Sequence, residues 1–167
     1  MKRDIRNYIK QCDMCQRNKH DTLSLVGLLQ PLSISDWLWE DISLDFIEGL
    51  PISNGFSMIL VVVDRLTKYG HFIAMKHPYT AKTVAATFVK EISRLHGMPR
   101  SIVSDRDKVF TSQLWTEYFR LQDSELRMGS AYHSQTDGQT EALNKFLETY
   151  LRCFVSLGPK QWSRWLH

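Results

Sequence analysis

The 167-residue chain has little of three things, and each shortage excludes a class of protein. Its three cysteines, Cys12, Cys15 and Cys153, are too few for a disulfide scaffold, so a reducing, intracellular compartment is expected. Its longest purely apolar run is the six residues Met58–Val63, far below the roughly 20 needed to span a bilayer, so no membrane partner is expected. The opening Met1-Lys2-Arg3-Asp4 leads into no apolar segment, and no secretory signal is expected. Internal repeats and low-complexity tracts are also lacking. What is there is ordinary globular material, 43 % hydrophobic and 23 % charged, enough to offset chain entropy on folding. The length suits one full domain of roughly 100–150 residues and an appendage.

One further absence is local. Residues 21–63 contain no Lys or Arg but six acids. They are flanked by residues 1–20, with six basic and two acidic side chains, and by residues 64–167, with fifteen basic and ten acidic. The mild net charge of +3 is an average over these opposites. A stretch with acids alone is either a solvated face or a cation site. Carboxylates without neighbouring cations repel one another until protons or a metal relieve them.

Patterning divides the chain into a short helical segment over 1–20, a Leu-rich but aperiodic linker over 21–38, and a main domain over 39–167. In the domain, Ile42–Ile47, Phe56–Val63, Gly70–Met75, Ser101–Ser104 and Glu125–Met128 read as strands. The β-branched run Phe56–Val63 reads as the buried central one. A helix opens with Thr80 as N-cap, carries an apolar stripe of Val84, Phe88, Ile92 and Leu95, and ends at Gly97 and Pro99. A second, Ser112–Leu121, is expected to bury Leu114, Tyr118 and Leu121. A long third helix, from about Thr140 to Phe154, is expected to bury Leu143, Phe146, Leu147, Tyr150, Leu151 and Phe154. Cys153 is expected among them as a buried hydrophobe. The order β-β-β-α-β-α-β-α argues for an α/β fold with a mixed sheet and helices against it.

Three acids occupy positions where such a fold places function. Asp45 lies inside the first strand, Asp105 directly follows the fourth, and Glu141 stands in the first turn of the long helix. Alone, each has a bland reading as a turn or helix-dipole residue. Together they form Asp-x59-Asp-x35-Glu. The flanks carry more: Trp39-Glu40-Asp41-Ile42-Ser43-Leu44-Asp45-Phe46-Ile47-Glu48-Gly49-Leu50-Pro51, Val61-Val62-Val63-Asp64-Arg65-Leu66-Thr67-Lys68, Leu95-His96-Gly97-Met98-Pro99, Ser101-Ile102-Val103-Ser104-Asp105-Arg106-Asp107 and Tyr132-His133-Ser134-Gln135-Thr136-Asp137-Gly138-Gln139-Thr140-Glu141. With these strings in this order, the chain resembles the D,D(35)E integrases of Ty3/Gypsy-type retrotransposons over essentially its whole length. It departs at Ser134, where that family usually has Pro, and at Asp123 and Gly129.

The resemblance implies an RNase H-like fold, a mixed five-stranded sheet flanked by helices. It implies an integrase catalytic core within a polyprotein, performing 3′-end processing and strand transfer. Phosphoryl transfer of this kind uses two divalent ions roughly 3.5–4 Å apart. Mg²⁺ or Mn²⁺ is the expected cofactor, with Asp45 bridging both ions, Asp105 on one and Glu141 on the other. DNA, both element ends and target, is the expected partner, and the family acts as homo-oligomers in the nucleus. Asn144 and Lys145, three and four residues after Glu141, share its helix face and become DNA-binding candidates. So do His133 and Gln135 in the loop 130–140; His133 has a second reading as a general base. Asp64 and Asp107 read as structural.

The family also places a His-His-Cys-Cys zinc module before the core. Cys12-x2-Cys15 matches its Cys half, so residues 1–20 read as the C-terminal remnant of that module. Zn²⁺ is expected only where the His pair is supplied, because a structural site needs four ligands. The core is expected to be C-terminally truncated. Two other functional readings stay open: a catalytically inactive or co-opted nucleic-acid-binding fragment, and an RNase H-type nuclease.

Overall fold

A computed structural model describes residues 1–17, 36–128, 138–155 and 158–166, with the side chains of 138–141 outside the description. Two short helices, α1 (Lys2–Gln11) and α2 (Asp13–Arg17), bury no residue. The rest builds one sheet: β1 (Asp41–Ile47), β2 (Met58–Asp64), β3 (Gly70–Met75), β4 (Ser101–Ser104) and β5 (Glu125–Met128). Its order is β3-β2-β1-β4-β5. The first three strands pair antiparallel, whereas β1–β4 and β4–β5 are parallel. This is the mixed five-stranded sheet of the RNase H-like fold. Among the described residues no helix is long and apolar enough to cross a membrane.

Strand β2 is buried at every position, which is why its sequence is a continuous apolar run rather than an alternation. Its alternate residues serve two cores. One face, with Leu60 and Val62, packs on Val84, Phe88, Trp115 and Phe119. The other, with Ile59, Val61 and Val63, packs on Leu147, Leu151 and Trp162.

The first face is covered by α3 (Ala81–Phe88), a π-helical turn Val89–Ser93, α4 (Arg94–His96) and α5 (Gln113–Arg120). Thr80 caps α3 as expected: its Oγ1 accepts from Thr83 N at 3.2 Å. Val84, Phe88 and Ile92 are buried, but Leu95 is 51 % exposed. The π turn is the reason, because its extra residue rotates everything after it about the helix axis. The expected face of α5 is also corrected. Trp115 and Phe119 fill the core, Tyr118 is partly buried, and Leu114 and Leu121 are exposed. The large rings at i and i+4 bury more area than the leucines would, and the helix turns to place them inward.

The second face is covered by α6 (Gly138–Val155) and a 3₁₀ segment, Pro159–Trp165. Leu147 and Leu151 are buried, with Leu143, Tyr150 and Val155 partly so. Phe146 and Phe154 are exposed and Cys153 is half-buried, contrary to expectation. A helix resting on a flat sheet by one narrow stripe cannot bury all of a wide apolar face. Two contacts fix this layer. Trp162 donates its indole N–H to the Pro51 carbonyl at 2.6 Å. At Gly70 the backbone lies so close to α6 that a Cβ would stand 2.8 Å from Leu143 Cδ2.

Candidate active site

The register of β1 against β4 carries the site. Leu44 pairs with Ser104 in a parallel ladder. One residue further along lie Asp45, in β1, and Asp105, directly after the end of β4, on neighbouring strands spaced about 4.8 Å apart. The carboxyl ends of strands are where open α/β sheets place their ligands. Asp45 is half-buried on the α6 face, opposite in the pleat to buried Leu44. Its Oδ1 accepts from Phe46 N at 2.8 Å. Its Oδ2 accepts from the side-chain amide of Asn144 on α6.

Asn144 lies inward, 9 % exposed, one turn along α6 from Glu141. Because its nitrogen faces Asp45, its Oδ1 points elsewhere. That oxygen is buried and has no hydrogen-bond partner among the described residues. Lys145, the next residue, is exposed, so the two separate: one props Asp45 and the other faces solvent. The backbone of Glu141 is in the first part of α6, while its side chain lies outside the description. His133 and Gln135 lie outside the described residues, as do Ser134, His20 and nearly all of the linker.

Asp105 reaches solvent, yet the protein around it removes enough water to push its carboxyl above the usual range. The backbone N–H of Asp107 opposes this, and the negative charges of Asp107 and Glu48 add to it. Asp107 is a loop former: its backbone N–H donates to Asp105 Oδ1 at 3.1 Å, and its own Oδ1 accepts from Val109 N at 2.7 Å. Beneath the site, Phe46 stacks on Phe110 with centroids 4.9 Å apart and planes 4° off parallel. Phe46 also meets Tyr79 at 5.2 Å. These rings join the neighbour of Asp45 to the loop after Asp105.

A cleft of about 450 Å³ opens beside Asp45, lined by Glu48, Asn144, Lys145, Glu148 and Arg152 among others. Glu148 and Arg152 pair loosely at 3.4 Å. A divalent cation fits this donor set. Carboxylate and amide oxygens are the hard ligands that Mg²⁺ and Mn²⁺ prefer. Asp105 is a carboxylate that gains from added positive charge, and among the described residues Asn144 Oδ1 has no donor.

Several residues that matter here were not singled out from sequence. Glu48 accepts from the Tyr79 hydroxyl at 2.6 Å. Asp41, 1 % exposed, accepts from Ser101 Oγ at 2.5 Å and from Arg100 at 3.2 Å, tying β1 to β4. Nothing in the local pattern around Tyr79 or Arg100 announces these pairings. Asp64 is fully buried and closes the turn after β2, accepting from Trp39 N and Thr67 N, each at 3.1 Å, and from Thr67 Oγ1 at 2.5 Å. At the other end of β1, His71 and His96 share a hydrogen bond of 2.9 Å under a Trp39 ring stacked 3.8 Å from His96.

Cys12 stands between α1 and α2 and Cys15 lies within α2; both are half-buried free thiols. Hydrogen bonds from the Cys15 backbone and thiol hold Cys12 below its ordinary pKa, whereas Cys15, the donor, is raised. Among the described residues no group of three or more His, Cys, Asp or Glu side chains gathers to hold a metal. Two thiolates alone do not make a tetrahedral zinc site.

The family model described as integrase core domain matches residues 37–134. The chain is 36 % identical over 162 residues to the transposon Tf2-3 polyprotein of Schizosaccharomyces pombe, covering 97 % of this chain and 12 % of that polyprotein. The Tf2-4 and Tf2-7 polyproteins of the same yeast match to the same extent. The chain thus spans about an eighth of the length of these relatives. Among solved structures it is similar to a chain in the cryo-EM structure of a simian T-cell lymphotropic virus intasome in complex with PP2A regulatory subunit B56 gamma. The TM-score is 0.63, with 18 % identity, 95 % of this chain covered and 55 % of that one. At that identity the likeness is one of fold.

Proposed function

Because the chain belongs to the integrase core domain family, as the integrase core of a retrotransposon polyprotein, we propose that it carries out metal-dependent phosphoryl transfer, trimming the 3′ ends of element DNA and joining them to target DNA. The observation that supports this most is the juxtaposition at the β1 and β4 ends: Asp45 beside Asp105, with α6 bonded to Asp45 through Asn144. Two divalent ions, Mg²⁺ or Mn²⁺, would supply activation of the attacking oxygen and neutralisation of the leaving one. Asp45, Asp105 and Glu141 are the residues that would hold these ions. The remaining work falls to side chains that position and neutralise, since little covalent chemistry is left to the protein.

Asn144 fixes the Asp45 carboxylate by donating to Oδ2. Asn144 is thus a positioning residue for Asp45, beside the DNA-contact role that the family suggests for it. Lys145, exposed at the cleft, contacts DNA phosphate, and Arg152 adds positive charge further along the same helix. His133 and Gln135, from the loop before α6, complete the DNA contacts that the family suggests. The reaction joins DNA ends in pairs, so a homo-oligomer on DNA in the nucleus is the working form. The Cys12–Cys15 pair serves zinc only if two further ligands come from elsewhere. An inactive or co-opted fragment is the less favoured alternative, because Asp45, Asp105 and Glu141 are all present.

The test is strand-transfer and disintegration activity on oligonucleotide substrates in Mg²⁺ or Mn²⁺. Wild type is expected to release product. Glu141→Gln, which preserves size and helix propensity, is expected to release none while keeping its circular dichroism spectrum. Retained activity would refute the assignment.

A further inference from the structure

Glu48 has no part in the triad, yet two observations draw it to the site. It lines the same cleft as Asp45 and Asn144. And it is held: the Tyr79 hydroxyl donates to Glu48 Oε1 at 2.6 Å. The hold is built from both sides. Tyr79 stands just before α3 and rests against Phe46, the neighbour of Asp45. Gly49, with φ +72°, turns the chain away immediately after Glu48, in the left-handed region where a residue with a side chain is strained. An exposed glutamate normally samples many rotamers. This one has one oxygen occupied by a phenol.

We propose that Glu48, clamped by Tyr79, is a positioning residue for cations at this site, accepting hydrogen bonds from metal-bound water rather than touching metal. The inference rests on the reading of Asp45 and Asp105 as metal ligands. Mg²⁺ and Mn²⁺ keep several waters when bound by few carboxylates, and a fixed outer carboxylate orients those waters and adds attraction. Tyr79 supplies the fixing, because the phenol can only donate to a carboxylate. One negative charge acting on a divalent ion across a water, roughly 7 Å away and largely hydrated, corresponds to a threefold to tenfold change in affinity after salt screening.

Binding of Mn²⁺ alone to the whole chain, read by electron paramagnetic resonance of the free ion and by water-proton relaxation, tests this without reference to activity. Glu48→Gln is expected to weaken Mn²⁺ binding threefold to tenfold, with the number of bound ions restored at high Mn²⁺. Tyr79→Phe, which keeps the ring on Phe46 and leaves Glu48 in place, is expected to weaken it twofold to threefold. Asp45→Asn is the reference variant and is expected to lose the site. Glu48→Gln binding like wild type while Asp45→Asn binds none would overturn the role of Glu48. Tyr79→Phe binding like wild type would overturn the clamp. Asp45→Asn binding like wild type would overturn the metal reading beneath both. Unchanged melting temperatures for Glu48→Gln and Tyr79→Phe are expected, and their joint loss would point to a structural role instead.

Discussion

Replacing Asp105 by Asn is expected to stabilise the metal-free protein while destroying its chemistry. In the folded state the carboxyl of Asp105 is raised by lost hydration and by the charges of Asp107 and Glu48. Its ionised form is therefore disfavoured relative to the unfolded chain. A group whose folded pKa is raised binds its proton more tightly in the native state, so stability falls as pH rises through the window between the ordinary and the raised value. At neutral pH that cost is fully present. Asn removes the charge but keeps the oxygen that accepts from Asp107 N at 3.1 Å. Because Asp105 remains in contact with solvent, the gain is discounted to about 1 kcal/mol. For a domain of this size that raises Tm by about 2–4 °C. Thermal melts in chelator, from pH 7.5 down to pH 3, measure it. The advantage of Asp105→Asn over wild type should be full at neutral pH and vanish at the acid end, where Asp105 is neutral in both states. Added Mg²⁺ should raise the wild-type Tm and not that of the variant. A variant less stable than wild type at pH 7.5, or an advantage independent of pH, would refute the reasoning.

Asp64→Ala removes the buried acceptor of the Trp39 and Thr67 N–H groups and should cost about 2 kcal/mol, read as a lower urea midpoint. Gly70→Val forces a side chain into Leu143 and Phe72, where a Cβ alone would stand 2.8 Å and 3.3 Å away. It should cost about 1–3 kcal/mol and lower strand transfer, because Leu143 adjoins Asn144. Lys145→Glu should weaken DNA binding at every sequence and reduce the slope of log affinity against log salt by about one. An unchanged slope would remove Lys145 from the interface.

The fold was legible because its framework is written in aliphatic runs. The continuous apolar stretch of β2 announced a strand buried on both faces, and Thr80 and Gly97 marked the ends of the α3–α4 helical segment. What escaped was phase. Periodicity on Ser112–Leu121 is compatible with a face through Leu114 and Leu121 or one through Trp115 and Phe119, and only the space above β2 decides. The π turn that exposes Leu95 leaves no mark in a stripe counted at helical spacing. At the site, Asp45 and Asp105 stood out by position and flanks, but the ladder that makes them neighbours is a tertiary fact. The inward turn of Asn144 and the bond from Tyr79 to Glu48 join residues 99 and 31 positions apart. No local rule ties such polar pairs.

The measurement closest to the central claim is product formation by wild type and by Asp45→Asn, Asp105→Asn and Glu141→Gln, each assayed on a disintegration substrate across a Mg²⁺ titration and in EDTA. Wild type should give product that rises with Mg²⁺ and disappears in EDTA, and each of the three folded variants should give none. Product from any of the three, or from wild type without a divalent ion, would contradict the account.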